Sequence, residues 1–423
     1  MPLTRSKAAK VKQTTRAPAP HLPDELWHRI AGFLSTKDWV GASGSCRHLR
    51  QLQLEHLNIT ATSAHGSISA LLWLAKQLPG ARSLVLGGWI VKSALQQEVA
   101  DKVRIAMQPA LQSPEALSKL SILRVQLGPS DDERAKRMNS TGDLPHMGIC
   151  LGPILAKATR LSKLELACVS AAGLPPLANL RHMALHLFRF PMSDRISTLL
   201  QNMPSLETLQ LSHSSASHDS YGDHVEAMLV VPASVQRVEL VNVFPESLVL
   251  NSDRTVVRLI GAVCCLEEAL MGWPDVRGQL KGLRLYQRAD EIPYSVDPMD
   301  ESHLWDHVEV LQFMRAPASP VDVELHGLPV ASLGNLTSLH VTMANLCITI
   351  PALPGLKDLR LDCARTLCMS FEDARVCAEN LVGFEFVFAV ICVDDTISAF
   401  FATLVTAGKP CAVQQDAEAP RES

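Results

Sequence analysis

The amino-acid sequence predicts an α/β protein: a short three-helix module followed by an irregular solenoid whose strands form a parallel sheet on the concave face. Two observations predict this fold class. Residues 21–60 carry apolar side chains at helical spacing, and residues 65–408 repeat a helix-period segment followed by Leu-x-x-Leu-x-Leu. Hydrophobic residues are 47% and charged residues 19% of the 423 positions, so the chain can form a large core.

Both ends of the sequence are predicted to be disordered tails. Residues 1–20 contain basic residues and no acidic one, and they end in the extended linker Ala17–Pro20. A solvated tail is the simplest interpretation, and an organelle transit peptide is the alternative, since the segment is basic, contains Ser and Thr and lacks acids. Residues 409–423 are polar, which also favours disorder.

The first helix of the module is predicted to begin at Leu22-Pro23. Proline suits the first turn of a helix, and Asp24 and Glu25 complement the positive end of the helix dipole. Four apolar residues then follow at helical spacing and would form one stripe. They are Leu26, Ile30, Phe33 and Leu34.

Two further short helices are predicted in the module. Trp39, Val40 and Ala42 are the apolar residues of the second helix, and the third is expected from about Cys46 through Leu57. Three such helices bury little surface, and each glycine inside a helix costs up to about 1 kcal/mol. We therefore expect a partner to complete the module, or the module to lean on the body behind it.

The body is predicted to be an array of leucine-rich repeats. Residues 196–212 and 225–241 align as two copies of one unit, each with a helix-period segment before its strand motif. A recurrence of about 20–29 residues with this signature is typical of such repeats, which stack strand upon strand. Further strand motifs begin at Leu120, Leu161, Leu280, Val308, Leu336, Leu356 and Leu381. A last strand and a helix over Thr396–Thr406 are expected to cap the array.

The side chains between the core leucines are candidates for target binding. In a stack of parallel strands these positions point away from the core, so they can vary without disturbing it. Here they are polar and of both charge signs, which suits the recognition of a protein surface; a merely soluble face is the alternative. The candidates are Lys163, Glu165, Thr208, Gln210, Arg237, Glu239, Arg284, His340, Asp358 and Arg360.

Several functional classes find no support in the sequence. It has no phosphate-binding loop, no nucleophile elbow, no HExxH helix and no CxxC pair, so no catalysis, cofactor or metal site is expected. A net charge of −4 and the absence of a long apolar run predict neither nucleic-acid binding nor a membrane span. Scattered cysteines without a secretion signal favour the cytoplasm or nucleus.

The helical module resembles an F-box. Leu22-Pro23, Glu25-Leu26, Ile30, Leu34, Asp38, Val40, Cys46-Arg47 and Leu52 stand in the order and approximate spacing of that motif. The resemblance implies docking to a Skp-family adaptor, which links an F-box protein to a cullin–RING ubiquitin ligase. By the same resemblance, the adaptor-binding residues would be Leu22, Pro23, Leu26, Ile30, Leu34, Trp39, Val40 and Cys46, with Trp39 where the family usually has leucine.

The sequence therefore favours a substrate-recognition subunit of a ubiquitin ligase, with the repeats binding an unknown target protein. F-box proteins commonly carry leucine-rich repeats, and this association is part of the resemblance. The main alternative is a repeat scaffold or regulatory binder outside a ligase, in which the helical module is only a cap. An enzyme with an unrecognised site is a further alternative, which predicts a deep pocket with perturbed titratable groups.

Overall fold

The computed structural model describes a mixed α/β chain with one large parallel sheet. The described residues are 22–33, 38, 40–42, 54–60, 77–87, 117–126, 155–168, 174–187, 193–213, 228–262, 272–287, 308–315, 334–343, 346–350, 352–392, 395–409 and 412–415. Leu34, Trp39, Cys46, residues 1–20, most of the two polar loops at 128–148 and 212–223, and residues 416–423 lie outside them.

The strands follow one another along the chain with short helices between some of them. The strands are β1 His56–Thr60, β2 Ser83–Gly87, β3 Ile122–Gln126, β4 Lys163–Cys168, β5 His182–Leu187, β6 Thr208–His213, β7 Met228–Val231, β8 Arg237–Val241, β9 Ser247–Leu250, β10 Val256–Ala262, β11 Leu280–Gln287, β12 Val310–Arg315, β13 Ser338–Met343, β14 Leu346–Ile350, β15 Asp358–Phe371, β16 Gly383–Cys392 and β17 Ala412–Gln415. The α-helices of the described residues are α1 Asp24–Phe33, α2 Ser193–Gln201, α3 Ala374–Asn380 and α4 Asp395–Thr406. Short 3₁₀ helices span Leu78–Gly80 and Pro274–Gln279.

Fifteen of these strands form one parallel sheet, in chain order except that β7 and β9 are left out and β14 pairs only with β15. The predicted parallel sheet is confirmed, and the arrangement is solenoid-like because successive repeats contribute neighbouring strands. Every strand motif predicted in the body coincides with a strand. In this sheet the sequence did not predict β1, β5, β10, β14 or β17. In β5 and β10, Met183 and Val257 stand where the repeat pattern has leucine.

A tight turn precedes many of the strands and sets their register. The N–H of Leu180 donates to the carbonyl of Leu177 (3.1 Å). Both leucines are buried, so this repeat buries one more leucine ahead of its strand motif. The carbonyl of Arg181 then accepts from two successive N–H groups of the next repeat, Glu207 (2.8 Å) and Thr208 (2.9 Å). The backbone therefore joins neighbouring repeats before each strand begins, which leaves few unpaired polar groups in the core.

The return side of the repeats is less regular than the sheet. The predicted helix of the unit at 196–212 is confirmed as part of α2. The prediction of an equivalent helix from Val225 is wrong at its C-terminal end, where β7 pairs in parallel with β9 in a separate two-stranded sheet. Val230 and Val231 are β-branched and Pro232 ends the segment, so an extended backbone is favoured over a helix.

The helical module is described at α1 and at Asp38 and residues 40–42, which are also helical. The first predicted helix is confirmed, beginning after Pro23. The third is wrong at its C-terminal end: Leu57 lies in β1, which pairs with β2, and Leu54 and Leu57 are buried in the core of the body. Leu54 and Leu57 therefore belong to the turn before β1 and to β1 itself, and not to a helix.

An aromatic cluster closes the C-terminal end of the sheet. Phe371 of β15 stacks on Phe400 of α4 with centroids 4.2 Å apart, and Phe384 and Phe386 of β16 pack around the same ring. The predicted strand and the helix over Thr396–Thr406 are thus confirmed as β16 and α4, but β16 is not the last strand of the sheet. The prediction of disorder after residue 409 is wrong for Ala412–Gln415, because β17 pairs in parallel with β16.

Of the helices in the described part of the chain, none is long and apolar enough to cross a membrane.

Candidate functional site

Helix α1 presents apolar side chains to solvent. Its first turn is closed by Pro23, whose carbonyl accepts from the N–H groups of Leu26 (3.0 Å) and Trp27 (3.2 Å). Leu26 is 42% exposed and Ile30 is 37% exposed, whereas Trp27 packs against the hydrophobic core. Because Leu26 and Ile30 are four residues apart, they lie on the same face of the helix. This face is an apolar surface without a partner among the residues described.

The other predicted adaptor-binding residues are only partly covered by the structure. Leu22 is half-buried, Pro23 is exposed and Val40 is 39% exposed. Leu34, Trp39 and Cys46 lie outside the described residues. A single exposed aliphatic side chain is ordinary, so the pair on α1 is the more informative feature. The roles of all these residues in adaptor binding stay predictions.

The ten predicted target-binding residues lie on strands of the sheet, on the face opposite the core, which we call the open face. Strand residues alternate there with buried ones: Thr208 and Gln210 are half-buried, and Leu209 and Leu211 between them are fully buried. Each of the ten is exposed or half-buried. Their placement agrees with the prediction, and their role in target binding is still a prediction.

A first group of polar side chains spans β3 to β8. Glu165 forms ion pairs with Arg124 on the neighbouring strand (3.0 Å) and with Lys163 on its own strand (2.9 Å). Gln210 donates to Glu239 across the β6–β8 pair (3.0 Å). Since all these groups are partly exposed, each pair contributes little to stability, about 0–1 kcal/mol. The pairs instead hold long side chains in defined positions on the open face.

Two members of this first group, Arg124 and His182, are not among the residues predicted from the sequence. Arg124 stands in the motif beginning at Leu120 at the place that Glu165 occupies in its own repeat, so aligning the repeats would have found it. His182 lies on β5, the strand that the leucine pattern missed, and its Nδ1 shares a hydrogen bond with the Thr208 hydroxyl (3.2 Å). Arg237, predicted from the sequence, is exposed on β8.

A second group forms one row across five neighbouring strands. The paired positions from β11 to β16 are Arg284, Gln312, His340, Arg360 and Glu385. The first two are joined by a hydrogen bond from the guanidinium to the amide oxygen (2.7 Å), and the last two by an ion pair (3.5 Å). The glutamine and the glutamate are not among the predicted residues, although they occupy equivalent places in the motifs beginning at Val308 and Leu381.

His340 lies in the middle of the second row, and its surroundings disfavour the imidazolium. Burial lowers the pKa of His340 below its ordinary value, and the nearby guanidiniums of Arg360 and Arg284 lower it further. Asp362 and Asp358 act in the opposite direction but do not reverse the shift. The neutral imidazole is therefore favoured near pH 7, with Nε2 in a hydrogen bond with the Thr342 hydroxyl (3.2 Å).

A break in register separates the two groups. Between β10 and β11 the pairing shifts after Val257, so that Arg258 lies beside Gly282. A Cβ added at Gly282 would be 3.2 Å from the Arg258 side chain, which is tighter than most contacts of this kind. The missing side chain therefore leaves room for the arginine across the break. As a result, the open face has two polar surfaces whose rows do not line up.

Among the residues whose side chains the structure describes, no group of three or more His, Cys, Asp or Glu is arranged to hold a metal ion. Of the histidines and aspartates that cluster at 213–224 in the sequence, only His213 is described.

Comparison with known families finds an F-box domain at residues 20–56. This match contains α1, Val40 and the start of β1, so the exposed apolar face of α1 belongs to an F-box domain. F-box domains generally bind Skp-type adaptors, and they act in adaptor complexes of ubiquitin ligases. The match ends at residue 56 and does not bear on the repeats. A search of curated proteins found no match to the chain.

Proposed function

We propose that this protein is the substrate-recognition subunit of a Skp–cullin–F-box ubiquitin ligase. One observation carries the proposal: the F-box at residues 20–56 includes a helix whose Leu26 and Ile30 are exposed on one face. Burial of these two side chains against an adaptor would stabilise the complex by roughly 25 cal/mol for each Å² of apolar surface removed from water. The remaining predicted residues of the module would extend the same contact.

The proposed role is to bring a target close to the ligase, without catalysis by this chain. Holding the target and the adaptor on one molecule raises the effective concentration of target lysines near the ligase's partner enzyme that carries ubiquitin. This role requires only a surface that binds the adaptor and a surface that binds the target. We place the protein in the cytoplasm or nucleus as part of the proposal.

The open face is the proposed target-binding surface. Its side chains are held on strands whose backbones are hydrogen-bonded to both neighbours, so a target meets positions that are already ordered. Both groups present cations and carboxylates at fixed spacings, and charged pairs of this kind give specificity more than affinity. The target would therefore carry a complementary pattern of charges.

Adaptor binding is tested with the full chain and a purified Skp-type adaptor. Leu26→Asp and Ile30→Asp each place a carboxylate in the proposed contact, and we expect the affinity to fall at least about tenfold. Met228→Asp is the matched control, because Met228 is another exposed apolar residue (52%) far along the chain on β7. Unchanged adaptor binding by both α1 variants would contradict the proposal.

Target reading is tested by affinity purification from cells in which the proteasome is inhibited. Arg284→Ala combined with Arg360→Ala removes two cations from the second row, and we expect the adaptor to be retained while a target protein is lost. The α1 variants should show the reverse, retaining the target and losing the adaptor. Loss of both partners in every variant would indicate unfolding, which circular dichroism of the variants would reveal.

A repeat scaffold outside any ligase is the second candidate, and one observation favours it. Trp27 and Ala42 pack against the core of the body, as the residues of an N-terminal cap would. Packing on one side of the helix does not occupy the exposed face at Leu26 and Ile30. The adaptor-binding experiment separates the two candidates, since a cap predicts no binding by the unaltered chain.

A further inference from the structure

Three arginines lie on a diagonal across three neighbouring strands of the open face. Arg237 is on β8, Arg258 on β10 and Arg284 on β11. A buried core residue stands next to each of them along its strand, so alternation places all three side chains on the face opposite the core. The first two are exposed and the third is half-buried. We call this set the arginine diagonal.

Strand register sets the spacing of the arginine diagonal. Arg258 pairs with Glu239 of β8, which lies two residues after Arg237. On its other side, Arg258 pairs with Gly282 of β11, which lies two residues before Arg284. Each step is therefore one strand across, about 4.8 Å, and two residues along, about 6.6 Å, which separates successive Cα atoms by roughly 8 Å. The two steps run in the same direction, so the three arginines follow one line.

The middle arginine lies at the break in register between β10 and β11. A Cβ added at Gly282 would be 3.2 Å from the Arg258 side chain, so this side chain crosses the break at the place of a missing one. Val256 and Ile260 are on the same face of β10, two residues before and after Arg258, and both are half-buried. Apolar neighbours exclude water and lower the local dielectric, which strengthens the attraction of the guanidinium for an anion.

The arginine diagonal lacks the carboxylate partners that other cations of the open face have. Arg124 and Lys163 both form ion pairs with Glu165, and Arg360 forms one with Glu385. In the part of the chain that the structure describes, by contrast, no ion pair joins an arginine of the diagonal to a carboxylate. Three cations on ordered strands therefore remain available to an anion from another molecule.

Neutral amides take part in the hydrogen bonds next to the arginine diagonal. Glu239, the carboxylate beside Arg258 in the register, accepts from the amide of Gln210 (3.0 Å). The guanidinium of Arg284 donates to the amide oxygen of Gln312 (2.7 Å), which orients the guanidinium without neutralising it. Three positive charges thus stand against one carboxylate here, although the whole chain has a net charge of −4.

We propose that the arginine diagonal binds an acidic segment of the target protein in extended conformation, with carboxylates on alternate residues. Alternate residues of an extended chain point to the same side and are roughly 6.6 Å apart, so long arginine side chains can reach them from positions about 8 Å apart. A guanidinium binds a carboxylate through two parallel hydrogen bonds, which gives each contact a defined geometry. The inference rests on the target-binding part of the proposed function and names the chemistry of the target.

The test uses the purified full chain and two fluorescent peptides of about ten residues, long enough to span the diagonal. One peptide alternates glutamate with serine and the other alternates lysine with serine, and fluorescence anisotropy follows binding. We expect only the glutamate peptide to bind, and its affinity should fall as the salt rises from about 0.05 M to about 0.5 M. Arg258→Ala and Arg237→Ala should each weaken binding about five- to tenfold. Equal binding of the two peptides would overturn the proposal.

Arg375→Ala is the matched control, because it removes an exposed arginine of α3 that is paired with Glu379 and is not on the open face. It should leave the affinity for the glutamate peptide unchanged. A loss of affinity in this variant equal to that in Arg258→Ala would contradict the proposal. If Arg258→Ala fails to fold, Arg237→Ala decides, since Arg237 is exposed, and unchanged peptide binding by that variant would also count against the diagonal.

Two further probes separate an acidic segment from other anions. A phosphoserine peptide of equal net charge and a single-stranded oligonucleotide of equal length are titrated under the same conditions. Weaker or equal binding of both supports the proposal, and binding of either one more than about tenfold tighter than the glutamate peptide would refute it.

The adaptor-binding experiment on the same preparations distinguishes this inference from the ligase function. Adaptor binding without any binding of the glutamate peptide would overturn the inference about the arginine diagonal alone. Peptide binding that depends on Arg237 and Arg258, without adaptor binding, would support the diagonal and overturn the ligase function alone.

Discussion

At the scale of single residues, the sheet allows close approach at a few glycines. Gly261 of β10 is buried, and a Cβ built there would be 2.3 Å from Cζ of Phe244. The phenyl ring belongs to the connection between β8 and β9 and lies directly over the strand. The absence of a side chain at Gly261 is therefore what lets this connection fold back onto the sheet.

Gly261→Ala should lower the free energy of unfolding by about 1–3 kcal/mol, because Phe244 or the strand must move to admit a methyl group. Gly278→Ala is the control, since no described atom outside its chain neighbours and its own helix lies within 4 Å of the position of its Cβ. That change should be neutral or stabilise by up to about 1 kcal/mol. Urea unfolding followed by circular dichroism measures both, and equal midpoints for the two variants would contradict the prediction.

His340 should make stability depend on pH. Its pKa is lowered in the folded chain from the value of 6.5, by burial first and Arg360 second, so the folded state binds the proton less readily than the unfolded state. The full stability is then present above pH 6.5 and is lost as the pH falls through the lower, folded pKa. His340→Gln should have a shallower loss of stability between about pH 8 and pH 5.5 than the unaltered chain. Parallel stability curves from urea unfolding at each pH would refute this.

At the scale of elements, a serine joins helix α2 to the edge of the second sheet. The hydroxyl of the buried Ser197 donates to the carbonyl of Met228 (3.3 Å) and accepts from the N–H of Val230 (3.0 Å). It therefore satisfies backbone groups of β7 that have no strand on that side. Thr396 of α4 does the same for β15, accepting from the N–H of Phe371 (2.9 Å).

Ser197→Ala should lower the free energy of unfolding by about 1–2 kcal/mol, because two backbone groups of β7 lose their partner. Thr198→Ala, one residue along α2 at an exposed position, should change it by less than about 0.5 kcal/mol. Hydrogen exchange gives the local readout: the Val230 amide should exchange faster in the Ser197 variant only. Equal protection of that amide in both variants would disprove the role of Ser197.

Element by element, the sequence predicted strands better than the segments that return between them. The leucines of the strand motifs beginning at Leu161 and Leu336 are buried. Such side chains must be buried whichever strands become neighbours, so the motif predicts the strand without knowledge of its partners. The segment at Val225 has helical spacing too, but its pairing with β9 is a contact between two segments, which the spacing within one segment does not report. Leu57 shows the same limit, because its spacing from the preceding leucines fits a helix although the residue is buried as part of a strand.

At the scale of the whole molecule, both ends of the sheet need covering. An open end would expose a row of unpaired backbone groups and the apolar core of the last repeat. At the C-terminal end, α4 contributes Phe400 and Leu404, both fully buried, and Lys409 donates to the carbonyl of Ala378 of α3 (2.9 Å). At the N-terminal end, the F-box domain at residues 20–56 ends on the first residue of β1, and Trp27 packs against the core.

Ending the chain before Asp395 should destabilise the protein by at least about 4 kcal/mol, because two large buried side chains at roughly 2 kcal/mol each are lost and Phe371 and Phe384 are uncovered. Ending it after Gln415 keeps α4 and β17 and should leave the thermal midpoint unchanged. The soluble yield and thermal unfolding of the two truncated chains measure the effect. Equal midpoints would show that α4 is not a cap.

The sequence by itself determined the parallel sheet, the repeat pattern and the F-box, because each rests on spacings within one short segment. Leucines at fixed intervals must be buried together, and the order of the F-box residues is readable without a partner strand. Only the tertiary structure decided which residues from different repeats become neighbours. The row from Arg284 to Glu385 and the break beside Gly282 both depend on register, which is set by pairing between strands far apart in the chain.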